Sequence, residues 1–275
     1  MEFGGVVLST PKGATTAPKF PVGARVFGAA QGAYATHLAC GEASLLPVPE
    51  GWTFAQAAGL FVTAPTAFAA LTLRASVRPG ETVLVHAAAG GVGLAAVQVA
   101  KALGATVIAT ASTEHKRAVA RSFGADHAVS YADPKTWPAE VRALTPGGRG
   151  VDVVFDPVGA VDLSTKCTAW NGRIVVVGFA AGSIEKVAMN KVLLKNISLV
   201  GLHWGAYVKN EPQAIPGVWE GILRLVRAGK YRGTEFTDRE FVGLDSVSEA
   251  LVALGGRETW GKVVVKIPQE GGSKL

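Results

Sequence analysis

A glycine-rich segment near residue 90 carries the strongest chemical signal in the sequence. It reads AAAGGVGLAA over residues 87–96 and directly follows the apolar run Thr82–His86. Gly91, Gly93 and Ala96 match the G-x-G-x-x-G/A spacing of dinucleotide-binding turns. In such turns the first glycine permits a tight bend, the second lets the backbone approach a pyrophosphate, and the third small residue packs on the sheet. The amides at the helix start then bind the diphosphate; the alternative is a glycine-rich turn that binds nothing.

The residues about twenty positions after Gly91 bear on the choice of dinucleotide. NAD-binding folds usually place an acidic residue there to hold the ribose hydroxyls. In this chain Ala111 occupies that place and is followed by Ser112 and Thr113. Glu114 is the nearest acid, and we expect it in the first turn of a helix that Ser112 or Thr113 caps. The usual carboxylate of an NAD site is therefore missing from this position.

Positive charge follows at once in Lys116 and Arg117, which could neutralise a 2′-phosphate unless they are ordinary solvated helix charges. NADPH is thus favoured as the cofactor. Over the whole chain Lys and Arg number 27 against 21 Asp and Glu, without a block of five or six basic residues. Spread-out charge of this kind does not indicate nucleic-acid binding.

Alternation of short apolar runs with helical segments begins at residue 82 and predicts the fold. The predicted strands are Thr82–His86, Thr106–Ala109, Ala128–Ser130, Val151–Phe155, Arg173–Val177 and Ile197–Val200, and the predicted helices include Val92–Leu103 and Glu114–Phe123. Continuous apolar strands separated by helices indicate a parallel sheet covered on both faces. The fold class is therefore α/β, a doubly wound parallel Rossmann sheet.

Both ends of the chain differ from this pattern. Strands are predicted at Gly5–Leu8, Ala24–Phe27, Ala33–Leu38, Phe236–Phe241 and Lys262–Ile267, with helices at Phe54–Leu60 and Ser246–Leu254. We expect a β-rich substrate lobe built from residues 1–60 and 236–275, and a Rossmann domain over residues 61–235. Hydrophobic residues make up 49% and charged residues 17%, which allows a substantial core.

Cysteine content and hydropathy exclude several other classes. With only Cys40 and Cys167, a four-thiolate zinc site is impossible and a disulfide framework improbable. The one local cluster of ligand types is His37, Cys40 and Glu42, which lacks a second matching cluster, so no metal site is predicted. No run approaches eighteen apolar residues, and no signal peptide opens the chain. No membrane partner is expected.

Several segments together resemble the zinc-free quinone oxidoreductase branch of the medium-chain dehydrogenase/reductase superfamily. The similar stretches are 23–37, 62–71, 85–112, 123–131, 150–159, 172–182, 193–205 and 261–265. The resemblance implies a Rossmann domain with a GroES-like β lobe and NADPH as the hydride donor. It also implies a small quinone or α,β-unsaturated carbonyl as the acceptor.

The resemblance also assigns site residues. Lys116 and Tyr131, with Ser112 beside them, match positions that hold the adenosine 2′-phosphate. The diphosphate residues are Ala89, Gly90, Gly91, Val92 and Gly93. Thr66 and His203 match positions near the nicotinamide. Val158, Gly159, Gly178 and Phe179 match loops at the carboxyl ends of later strands, where ligands of such sheets bind. The segment His203-Trp204 shapes a dimer contact in the family, so a homodimer is expected.

The amino-terminal stretch Met1–Val7 departs from the family pattern, because it resembles an internal segment. We therefore expect a shortened, incomplete β lobe. Two functions follow: an active NADPH-dependent reductase, or an NADPH-binding protein with little turnover. No catalytic residue is assigned, although Tyr34 and His203 are candidate hydrogen-bond donors to the acceptor.

The last three residues, Ser273-Lys274-Leu275, form a peroxisomal address that an import receptor reads at a free carboxyl terminus. The expected location is the peroxisomal matrix if the source is eukaryotic, with the import receptor as a partner. In a bacterium the tripeptide would carry no meaning, and the expected location is then the cytoplasm.

Overall fold

The computed structural model describes residues 2–11, 17–182 and 184–268. The chain divides into two compact units. The terminal unit comprises Met1–Val62 and Arg232–Leu275, and the central unit comprises Thr63–Tyr231. The signal Ser273-Lys274-Leu275 lies outside the described residues.

The strands of the described chain form three sheets. They are β1 (Glu2–Val6), β2 (Arg25–Ala29), β3 (Leu45–Pro47), β4 (Thr82–Val85), β5 (Thr106–Ala111), β6 (His127–Ser130), β7 (Val151–Asp156), β8 (Thr168–Val176), β9 (Ser198–Gly201), β10 (Phe241–Val242) and β11 (Val265–Lys266).

The α-helices vary more in length. They are α1 (Phe54–Ala58), α2 (Thr63–Ala69), α3 (Gly91–Ala102), α4 (Glu114–Ser122), α5 (Trp137–Ala143), α6 (Val161–Ser164), α7 (Met189–Lys195), α8 (Tyr207–Asn210), α9 (Ile215–Arg227) and α10 (Val247–Gly255). A π-helical turn, Ala70–Arg74, follows α2. Within the described ranges, no helix is both long and apolar enough to cross a membrane.

A six-stranded parallel sheet organises the central unit, in the order β6-β5-β4-β7-β8-β9. All four residues of β4 are buried, as continuous apolar character predicts for a strand covered on both faces. Its core includes Leu84, Ile108, Val154 and Ile174, each fully buried. The predicted doubly wound Rossmann sheet is confirmed. The predicted strand beginning at Arg173 starts earlier, at Thr168.

The terminal unit contains a small antiparallel sheet, in which β2 pairs with β1 on one edge and β3 on the other. This β lobe was expected, but two of its predicted strands are wrong. Residues 34–37 form bends and no strand occurs over 33–38, because both edges of β2 are already paired. From Phe236–Phe241 only the last residue enters a strand, β10, which pairs with β11 over two residues. The Phe236 amide donates to the Lys262 carbonyl over 2.8 Å beside an isolated bridge, but among the described residues this pairing does not continue through 237–240.

Candidate functional site

The site is organised by the point in the central sheet where the strand order reverses. From β4 the chain passes to β5 on one side, while β7 lies on the other side of β4. The turns after β4 and β7 therefore diverge and leave a crevice at the carboxyl ends of the strands. Ligands of doubly wound sheets bind in this crevice.

The turn after β4 is tight and internally hydrogen-bonded. Ala87 adopts a left-handed conformation with φ of 45°. The Gly90 amide donates to the Ala87 carbonyl over 2.8 Å, and the Ala88 amide donates to Thr110 of β5 over 2.9 Å. Gly91 was expected to provide the bend, but the positive φ falls on Ala87, and Gly91 is the first residue of α3.

Gly93 has a steric role inside the turn. A Cβ at this position would lie 2.4 Å from the Ala87 carbonyl oxygen and 2.7 Å from the Ala88 Cα. Real Cβ atoms essentially never approach so closely, and both neighbours are backbone. Only glycine therefore lets α3 start directly against its own turn. The sequence reasoning had given Gly93 a ligand-facing role, and that role stays a prediction.

The start of α3 presents backbone donors. The helix has twelve residues and Gly90 as its N-cap, with no side-chain cap at this described end. Helix geometry leaves the first amides, those of Gly91, Val92 and Gly93, without intrahelical acceptors. Ala89 is buried, whereas Gly90, Gly91 and Val92 are half-buried. This end of α3 combines amide donors with the positive end of the helix dipole, which favours an anion.

The ends of β5 and β6 bring two further predicted residues to one edge. Ala111 is opposite Ser130 in the parallel register, so Ser112 and Tyr131 leave the sheet side by side. Ser112 is exposed and Tyr131 is 36% exposed.

The first acidic residue after β5 is already paired with two arginines. Glu114 accepts from Arg121 over 2.8 Å and from Arg117 over 3.0 Å. These two hydrogen bonds, with that to Arg121 the stronger cause, lower the pKa of the exposed Glu114 carboxyl. Arg117, predicted as a phosphate partner, is thus paired with Glu114. Of the two predicted caps, Ser112 and Thr113, it is Thr113 that caps α4, and its hydroxyl accepts from the Lys116 amide. Lys116 is half-buried in the first turn of this helix.

A buried carboxylate that the sequence reasoning missed shapes the turn after β7. Asp156 is fully buried, and its Oδ1 accepts from the amides of Val158 and Gly159, each over 2.9 Å. Its Oδ2 accepts from Ala160 over 2.7 Å. The amides of Val158 and Gly159 are therefore occupied by Asp156, and a ligand could contact only the remaining atoms of these two residues. An aspartate ending an apolar strand and followed by Pro-x-Gly was the signal available.

The turn after β8 is tied to the turn after β7. The Ala180 amide donates to the Pro157 carbonyl over 3.0 Å, and the Ala181 amide donates to the Val158 carbonyl over 3.1 Å. Gly178 lies against the same Pro157 carbonyl, which a Cβ would meet at 3.2 Å. Phe179 is 48% exposed beside these bonds. The predicted residues of both loops are thus held together.

His203 lies in an open cleft of about 220 Å³, which Arg74, Gly201, Ala206, Tyr207, Asn210 and Glu211 also line. The Arg74 guanidinium donates to the Gly201 carbonyl over 3.0 Å. Burial, and then the Glu211 charge, raise the pKa of Tyr207. Thr66 is half-buried on α2, which contacts the turn following His203. Thr66 and His203, which were predicted near the nicotinamide, therefore lie on neighbouring elements.

The remaining polar candidates are in the terminal unit. His37 and Cys40 are exposed, and the Glu42 carboxylate accepts from the Lys19 amide over 2.9 Å. In the ranges that the structure describes, no group of three or more His, Cys, Asp or Glu side chains could hold a metal. Tyr34, a candidate donor to the acceptor, is 59% exposed.

Comparison with known proteins identifies the family to which the chain belongs. The model of the zinc-binding dehydrogenase family matches residues 91–223. A quinone oxidoreductase-like protein 2 from Rattus norvegicus is 37% identical over 275 residues, spanning 97% of this chain and 75% of that protein.

Solved structures agree with this relationship. The quinone oxidoreductase of Pseudomonas syringae superposes with a TM-score of 0.81 at 31% identity, covering 96% of this chain and 80% of that one. A Thermus thermophilus quinone oxidoreductase, also solved with NADPH, gives a TM-score of 0.75 at 32% identity, covering 89% and 77%. With the order of the parallel strands and the turn at the start of α3, these likenesses show that the chain is an oxidoreductase of the medium-chain dehydrogenase/reductase family, with quinone oxidoreductase-like relatives.

Proposed function

We propose that the chain is an NADPH-dependent oxidoreductase that transfers a hydride to a quinone or an α,β-unsaturated carbonyl. The observation that carries the cofactor choice is the end of β5. No carboxylate occupies position 111 or the next two positions, and the first acid after β5, Glu114, is paired with Arg117 and Arg121. The acid that usually holds the ribose hydroxyls of NAD is therefore missing, which favours a ribose bearing a 2′-phosphate.

The turn after β4 fits a dinucleotide diphosphate. Gly93 allows α3 to begin against the Ala87 carbonyl, and the amides of Gly91, Val92 and Gly93 are donors at the positive end of the helix. Ala89 and Gly90 complete the turn that would surround the diphosphate.

The adenosine 2′-phosphate would be held by residues that leave β5 and β6 at one edge. Ser112 and Tyr131 supply hydroxyls, and Lys116 supplies a positive charge from the first turn of α4. An ammonium and hydroxyls recognise a phosphate dianion through charge-assisted hydrogen bonds, which exceed neutral ones in strength.

The nicotinamide end would lie near the remaining assigned residues, which are Thr66, Val158, Gly159, Gly178, Phe179 and His203. The nicotinamide supplies the hydride, and the protein contributes orientation and the exclusion of water. The bonds between the turns after β7 and β8 give this region a fixed backbone. His203 and Tyr34 are the candidate donors to the carbonyl of the acceptor.

Calorimetric titration of the purified chain with NADPH and NADH tests the cofactor choice. We expect tighter binding of NADPH. Lys116→Ala should weaken NADPH by about 1–3 kcal/mol, the size of one charge-assisted hydrogen bond, and leave NADH almost unchanged. Lys230→Ala, which removes an exposed lysine elsewhere in the central unit, is the control. Equal affinities of the wild-type chain for both cofactors would refute the assignment.

Turnover tests the reaction itself. NADPH oxidation should accelerate when one or more members of a quinone and enone panel are added. Normal NADPH binding without turnover on any acceptor would instead identify a cofactor-binding protein with little activity.

We further propose that catalysis needs no zinc, since His37, Cys40 and Glu42 do not converge. Elemental analysis after dialysis should return far less than one zinc per chain, and stoichiometric zinc would refute this. We also propose a homodimer, which light scattering tests, and peroxisomal import directed by Ser273–Leu275 if the source is eukaryotic.

A further inference from the structure

An imidazole buried beneath the glycine-rich turn has no part in the proposed chemistry. His86 directly follows β4, precedes Ala87 and is 1% exposed. Its Nδ1 lies 2.9 Å from the Thr110 Oγ1 of β5, and its Nε2 lies 2.8 Å from the Ser164 Oγ of α6. The ring of Trp137 from α5 packs edge-on against it, with 5.1 Å between the ring centroids.

The hydrogen bonds around His86 fix its tautomer. The single hydroxyl proton of Ser164 is donated to the Ala160 carbonyl over 2.6 Å, so the Ser164 oxygen must accept from His86. Nε2 therefore carries a proton, and in the neutral ring Nδ1 accepts from the Thr110 hydroxyl. The neutral form thus has both ring nitrogens hydrogen-bonded. Burial lowers the pKa of His86, and the Asp156 carboxylate, the charged group acting on it, opposes that effect only in part.

This chain of bonds joins the two turns of the crevice. On one side His86 continues directly into the glycine-rich turn, and its own amide donates to the Phe155 carbonyl over 3.0 Å. On the other side the Ser164 hydroxyl reaches Ala160, whose amide binds the Asp156 carboxylate. Ala160 ends the turn after β7, so one side chain connects backbone segments about 75 residues apart in sequence.

We propose that His86 is a positioning residue that holds the glycine-rich turn and the turn after β7 in register, and thereby sets the affinity for the dinucleotide. The inference rests on the proposed function, because it assumes that the cofactor contacts both turns. The imidazole suits this role because it bridges a donor and an acceptor on different elements without carrying charge. A buried apolar side chain would fill the space but would leave Ser164 and Thr110 without their partner.

Substitutions that separate the two ring nitrogens test the role. The side-chain amide nitrogen of glutamine reaches about as far as Nε2, and the side-chain oxygen of asparagine reaches about as far as Nδ1. His86→Gln can therefore keep the bond to Ser164, whereas His86→Asn keeps at best the bond to Thr110. Ser164→Ala removes the link from the other end.

The matched control is Thr145→Val. Thr145 is 5% exposed, and its hydroxyl donates to the Arg142 carbonyl over 2.7 Å and accepts from the Gly150 amide over 2.9 Å. It is a buried hydroxyl with two bonds, but it precedes β7 and lies at the opposite end of that strand from the crevice. Its removal should cost comparable stability without touching either turn.

Two measurements on the full-length chain decide the matter, namely the NADPH dissociation constant and amide hydrogen exchange without cofactor over residues 86–98 and 156–165. We expect His86→Asn and Ser164→Ala to weaken NADPH about tenfold, the consequence of losing one buried hydrogen bond. Exchange should quicken in both segments. His86→Gln and Thr145→Val should stay near the wild-type values, with thermal unfolding confirming that each variant is folded.

Each contrary outcome has a distinct meaning. Unchanged exchange in residues 86–98 after Ser164→Ala, with normal NADPH binding, overturns the link between the turns. Equal weakening by Thr145→Val reduces the effect to general stability and also overturns it. Failure of the wild-type chain to bind NADPH overturns the proposed function and, with it, the cofactor role of His86.

Discussion

Replacing Gly93 with alanine tests whether the glycine-rich turn is built as described. The added Cβ would lie 2.4 Å from the Ala87 carbonyl oxygen and 2.9 Å from the Ala88 carbonyl carbon. Because both are backbone atoms in a hydrogen-bonded turn, relief requires a shift of the turn or of α3. Overpacking of this kind costs about 1–3 kcal/mol. Alanine also gains up to about 1 kcal/mol in helix propensity, which offsets part of that cost.

Gly217 provides a control that isolates the collision. It is the third residue of α9, as Gly93 is the third residue of α3, and a Cβ there would meet nothing within 4 Å among the described residues. Gly217→Ala should therefore be neutral or stabilising by up to about 1 kcal/mol. The difference between the two variants, about 1–3 kcal/mol, measures the collision without the propensity contribution.

Urea unfolding of both variants gives this difference directly, and NADPH titration reports whether the turn has moved. We expect Gly93→Ala to lower the unfolding midpoint and weaken NADPH, while Gly217→Ala does neither. If the two variants changed stability equally, the close packing of α3 on its turn would be refuted.

Three further predictions concern pH, thiol reactivity and location. Burial lowers the pKa of His86 in the folded chain, so the unfolded chain takes up the imidazole proton first as pH falls below about 6.5. The free energy of unfolding should therefore drop by up to about 1.4 kcal/mol per pH unit, and urea unfolding of His86→Gln should lack this drop. Burial raises the pKa of Cys167 to about 12, whereas Cys40 is exposed, so iodoacetamide at pH 8 should modify one thiol per folded chain and none in Cys40→Ser. A fluorescent protein fused to the amino end should give puncta that coincide with a peroxisomal marker in a eukaryotic host, and a diffuse signal unchanged by deleting Ser273–Leu275 would count against import.

The sequence by itself determined the central sheet and the position of the glycine-rich turn. Buried parallel strands need continuous apolar runs, and residues 83–85 and 153–155 show them without tertiary information. The helix at Gly91 was predictable because small residues, a preceding strand and a following apolar helix act over neighbouring positions. The missing carboxylate near Ala111 was equally visible, since it depends only on spacing.

Only the folded structure decided which polar groups are already occupied. Glu114 and Arg117 could each have faced a ligand, and they pair with one another across one turn of α4, which their spacing allows but does not require. Asp156 turns the amides of Val158 and Gly159 toward itself, and the only sequence signal for this was an aspartate at the end of an apolar strand, followed by Pro-x-Gly. Residues 33–38 form no strand, because the two edges of β2 are already paired with β1 and β3, which lie elsewhere in the sequence.

The contact between His86 and Ser164 shows, in one residue pair, what local sequence determines and what only the fold determines. Local sequence predicted His86 at the end of a strand and made no prediction for Ser164, and the 2.8 Å between the His86 Nε2 and the Ser164 Oγ follows from the order of strands in the sheet. Side-chain periodicity acts over a few residues and fixes the elements. Hydrogen bonds between two turns require the distant strands that carry those turns to be paired. The packed fold alone therefore decides how the turns of the site are held together.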